Sequence, residues 1–122
     1  MIGPLMMCVA SVVLLIGMLA GIVMGIREDF VLAQAHAHLN LVGGVLLFLF
    51  GLYYKLVPAA GATTLAKVQG WLHIVGGILF PAGLAIVLLK GPSFIAAPIV
   101  GSLIVTAAMA LFVVVVFRTS RV

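Results

Sequence analysis

Polar positions are sparse along this chain and gather in a few places. The charged residues are Arg27, Glu28 and Asp29, then Lys55, Lys67, Lys90, Arg118 and Arg121. Between them run four uncharged, mostly apolar stretches, at 4–26, 33–54, 68–89 and 94–117. Each reaches or exceeds the ~20 residues that a helix needs to cross a bilayer. No alternation of period two runs through them, and backbone groups in lipid must satisfy one another within the segment. The pattern therefore predicts four helices and three short connections. The fold class is all-α: an integral membrane four-helix bundle, one domain over 1–122.

The predicted boundaries have local support. Segment 4–26 carries Gly17, Gly21 and Gly25, the small-xxx-small spacing that admits a second helix closely. Segment 33–54 ends on Tyr53-Tyr54-Lys55, aromatics and a cation suited to the interface. Pro58 and Gly61 then supply a turn, and Thr63-Thr64 a helix cap. Gly91-Pro92 stops the third helix, and Pro81 inside it predicts a kink and a freed carbonyl. Gly101 and Ala108 give the fourth helix a small-residue face.

Composition agrees with the pattern. The chain is 66% hydrophobic and 7% charged, against about 25% charged residues in soluble domains. Four spans put both termini on one side. That side holds Lys55, Lys67, Arg118 and Arg121, and the other holds Arg27 and Lys90 with Glu28 and Asp29 beside the first. The excess of cations predicts cytoplasmic termini, and a bacterial inner membrane is the expected location. The net charge of +4 follows from the same balance, and without a basic stripe it implies no nucleic-acid partner. No basic stretch precedes the first segment and no small-x-small site stands out in it, so it is expected to be retained as a span. Cys8, the single cysteine, is expected to be a buried structural thiol.

Within this apolar background the chemistry concentrates in Ala35-His36-Ala37-His38-Leu39-Asn40. Polar groups inside a bilayer are expensive and tend to mark sites. On a helix His36 and His38 point roughly 200° apart, so they cannot grip one ion from the same helix. His36 shares a face with Asn40, Gly43, Gly44, Leu47, Gly51 and Tyr54. That face, small in its middle, suits a flat macrocycle or a close-packed helix. His38 lies on a bulky apolar face with Leu41, Val42, Val45, Leu49 and Leu52. His73 should sit roughly 15 Å from His38 along the membrane normal, where an interhelical hydrogen bond is the expectation. The candidate cofactor-binding residues are His36, His38, Asn40 and Gly44, with His36 and His38 as candidate metal ligands.

Span two and its exit resemble subunit I of the heme-copper oxidase superfamily. The resemblance rests on Ala35-His36-Ala37, the glycine-containing apolar run, and Lys55-Leu56-Val57-Pro58. It is supported by His36-Ala37-His38, similar to that family's His-x-His, by His38-Leu39-Asn40, similar to the His-x-Asn of nitric-oxide-reductase-type relatives, and weakly by Trp71-Leu72. It covers about a quarter of the chain. It implies that His36 is an axial ligand of a low-spin haem, haem b. The family subunit has twelve spans in three four-helix arcs, so the resemblance further implies a one-third unit, with a homotrimer around a threefold axis in which adjacent copies complete the coordination. The chain has no His-Pro-Glu-x-Tyr stretch and no adjacent His-His pair, the copper-site motifs of that family, which argues against oxygen reduction at a haem–copper centre.

Three functions are weighed. The first is a b-type haem protein of electron transfer, with a respiratory-chain donor. The second is a copper-binding or copper-transport protein using Met6, Met7, Met18 and Met24, soft ligands for Cu(I). The third is a structural or assembly subunit of a respiratory complex. No nucleophile–base pair, phosphate loop or carboxylate dyad marks a catalytic residue.

Overall fold

The computed structural model describes residues 1–120. Four helices in it are long and apolar enough to cross a membrane: α1 (Ile2–Arg27), α2 (Ala33–Leu56), α3 (Thr64–Lys90) and α4 (Ala96–Ser120). No strand occurs among the described residues. The all-α four-helix architecture expected from the pattern is the one observed. Arg121, one of the cations used to orient the spans, lies outside the described residues.

Each helix runs antiparallel to the one before it. Gly3 of α1 lies against Gly51 and Tyr54 of α2, and Gly21 of α1 against His36 of α2. Gly43 of α2 meets Gly77 of α3, while Gly83 and Gly101 bring α3 and α4 together at Pro98 and Phe80. Both termini thus share one end of the bundle, here the terminal end. The two histidines of α2 sit towards the other.

Helix ends follow backbone chemistry rather than charge. α3 starts at Thr64 rather than near 68, because Thr63 caps it: its Oγ1 accepts the Ala66 N–H at 3.1 Å. Lys67 therefore sits inside the first turns of α3. α1 closes in a left-handed cap at Glu28 (φ 52°), with Glu28 N donating to Gly25 O at 3.3 Å and Asp29 N to Met24 O at 3.2 Å. This is the Schellman pattern with glutamate where glycine is usual. A left-handed residue bearing a Cβ costs roughly 1–2 kcal/mol. Glu28→Gly is expected to raise the melting temperature in detergent, and an unchanged or lower value would contradict the cap's strain.

α2 is not a uniform α-helix. Between Leu39 and Leu46 it widens into a π-helical segment, whose i→i+5 bonding inserts surplus backbone into the ladder and changes which side chains share a face. The Gly43-Gly44 pair lies inside it. α3 passes through Pro81 without a break. Pro81 cannot donate to the Gly77 carbonyl, and that carbonyl lies against Gly43 of α2.

The core is concentrated at the terminal end. Ile2, Met6 and Ala10 pack there with Leu47, Phe50, Tyr54, Ala66, Ile74 and Val115. Phe112 of α4 stacks on Phe50 at 4.0 Å between centroids, and Tyr53 reaches Thr119 at 2.6 Å. Towards the histidine end the large core side chains run out. The buried positions of α1, at Ile2, Met6, Ala10, Val13 and Gly17, also correct the expectation for Cys8. It falls on the opposite side of that stripe and is exposed.

Candidate functional site at the histidine end

Where the core thins, α1, α2 and α3 leave a cleft of about 420 Å³. Ala20, Val23 and Met24 line it from α1, Ala35, His36 and Leu39 from α2, and Ile78, Pro81, Ala82 and Ala85 from α3, with Leu32 at its edge. His36 is its one ionisable side chain. Small residues make the space: alanines stand at 20, 35, 82 and 85.

The His36 ring is held by a neighbour one turn on. Asn40 Nδ2 lies 3.3 Å from His36 Nε2. Both side chains enter the glycine stripe of α1. A methyl group at Gly21 would stand 3.0 Å from His36 Cε1, and one at Gly17 would overlap the Asn40 amide. The stripe expected to receive a helix therefore receives these two polar side chains, while Gly25 meets nothing within 4 Å. His36 Nδ1 and Asn40 Oδ1 are buried without a hydrogen-bond partner in the protein.

The Asn40 amide decides what the imidazole can do. With its NH2 on Nε2, the ring proton sits on Nδ1. With the amide turned, its oxygen accepts Nε2–H and leaves Nδ1 as a bare lone pair. The second arrangement is the one a metal-ligating histidine uses, its far nitrogen tied to a carbonyl that fixes tautomer and orientation. Histidine, asparagine and an apolar wall thus fit a cofactor held through a single neutral imidazole.

The other expected site residues separate. His38 Nδ1 bonds the Gln34 carbonyl at 2.7 Å and its ring meets Phe80 edge-on at 4.9 Å. It does not line the cleft. Gly44 takes the Leu14 side chain of α1, so at that position the small face serves helix packing. His73 is fully buried and donates Nε2–H to the Val42 carbonyl at 2.8 Å, the interhelical bond expected for it. Among the described residues no three His, Cys, Asp or Glu side chains come together as a metal cluster.

Sequence reasoning missed the π-helical segment, Met24 and Pro81 in the cleft wall, and Gln69. Gln69 is fully buried and accepts the Tyr54 hydroxyl at 2.9 Å. An uncharged amide inside an apolar span was a visible signal for it. Comparison with known proteins adds no further guide: no family model, curated protein or solved structure matches the chain.

Proposed function

We propose that this protein is a b-type haem protein of the membrane, with His36 as the axial donor and Asn40 as the residue that orients it. One observation carries the reading: a half-buried imidazole, one nitrogen without a protein partner, stands on the wall of an otherwise apolar cleft. The volume falls within the roughly 300–1,000 Å³ of cofactor and ligand sites. When bound, the haem would supply one-electron chemistry suited to transfer rather than bond-making. The chain supplies an apolar surround that excludes water, a neutral ligand nitrogen, and a thioether, Met24, lining the same cleft from α1.

The resemblance to heme-copper oxidase subunit I supports the same reading and extends it. A homotrimer of this unit would reproduce a twelve-span ring. Lys55, Lys67 and Arg118 all lie towards the terminal end, which favours termini in the cytoplasm of a bacterial inner membrane. A copper-transport role draws less support, because the methionines of α1 do not converge: Met6 is buried in the core and Met18 is exposed.

The test is an absorption spectrum of the purified protein, air-oxidised and then dithionite-reduced. A Soret band that sharpens and shifts on reduction is expected. Colourless protein that also fails to take up added haemin would end the proposal.

A further inference from the structure

Four buried side-chain atoms among the described residues lack a hydrogen-bond partner in the protein: His36 Nδ1, Asn40 Oδ1, Gln69 Nε2 and His73 Nδ1. The first two belong to the cleft. The other two lie one turn apart on α3, on side chains that are both 0% exposed, and they take no part in the haem reading.

Their chemistry is complementary. The Tyr54 hydroxyl donates to Gln69 Oε1 at 2.9 Å, which leaves the glutamine NH2 as a donor. His73 Nε2 is 2.8 Å from the Val42 carbonyl. A carbonyl has no proton to give, so Nε2 carries the proton and Nδ1 keeps a lone pair. A free donor and a free acceptor therefore stand at i and i+4 on one helix face, where side chains are neighbours. Phe50 meets the His73 ring edge-on at 4.9 Å.

We propose that a buried water molecule is bound between Gln69 and His73, accepting from Gln69 Nε2–H and donating to His73 Nδ1. Internal waters occupy such places, where buried polar groups would otherwise go unsatisfied. With it, the hydrogen bonds run in one sense from Tyr54 through Gln69, the water and His73 to the Val42 carbonyl. That carbonyl lies in the π-helical segment of α2. The polar path links the terminal end of the bundle to the middle of α2, two residues beyond Asn40.

Nitrogen-15 NMR of the full chain in detergent, with magnetisation transfer from water, tests this without reference to pigment. Wild-type protein is expected to show His73 protonated on Nε2, and transfer from a long-lived water to both the Gln69 side-chain amide and the His73 ring. Gln69→Met, close in volume, is expected to lose the transfer at His73 while keeping the backbone spectrum. Tyr54→Phe, one bond further along, is expected to keep it. A His73 ring protonated on Nδ1, a direct bond from Gln69 to His73, or no water transfer at His73 in the wild-type protein would each overturn the site. The wild-type measurements decide the matter even where a variant does not fold.

Discussion

His36→Ala is expected to abolish the haem absorption of the purified protein, while His38→Ala keeps it. The asymmetry follows from where the rings lie. His36 is in the cleft wall with a nitrogen to spare, whereas His38 is bonded to its own helix at Gln34 and packed on Phe80. Under the proposed function, removing the only imidazole of the cleft would remove the bond to iron and leave apolar contact alone. Asn40→Leu should act less severely, because it removes the group that orients the ring rather than the ligand. Losses of about 10–100-fold in affinity are usual when such a partner is removed. Haem content per chain, from the reduced spectrum against protein concentration, checks all three variants. A His36→Ala protein as strongly coloured as wild type, or a His38→Ala protein without colour, would show that the cleft is not where the pigment sits.

Gly43→Ala is expected to destabilise the fold by about 1–3 kcal/mol, the usual effect of an added carbon in a well-packed interior. The new methyl would come within 2.7 Å of the Gly77 carbonyl oxygen and 3.4 Å of the Val13 side chain. The nearer atom is backbone and cannot swing aside, so α2 and α3 must part. Their closeness has a second role. The Gly77 carbonyl has no helical donor at Pro81, and Gly43 packs directly against it. Gly25→Ala is the matched control, since nothing lies within 4 Å of it and helix propensity favours alanine by up to ~1 kcal/mol. Denaturation of both variants in the same detergent gives the comparison. Equal midpoints would refute the claim that α2 and α3 touch backbone to backbone.

The segments that cross the membrane were plain in the spacing of the charges, because nothing but an apolar helix of that length is stable in lipid. Their ends were less plain. Charge marks where a span meets water, while Thr63 and Glu28 mark where the backbone ladder stops, and the two differ by several residues at Lys67. The face containing Gly43, Gly44, Leu47, Gly51 and Tyr54 reads in the sequence as small in its middle, and all five residues are buried. Its occupant could not be read from one helix: Leu14, the α1 backbone and Gly77 fill most of it, and only the stretch near His36 stays open. The π-helical segment was beyond a period of 3.6. Within it the Val42 carbonyl meets the His73 ring from 31 residues away, a partnership no local pattern carries.

Cys8 stands alone on the outer flank of α1, away from the cleft and from every glycine contact described above. A nitroxide attached there needs no engineered mutation and disturbs no packed surface. In a bilayer, pulsed electron resonance between such labels would count and space the copies of the molecule. Three equal separations would reveal a ring, and an absence of any dipolar coupling would reveal a solitary chain.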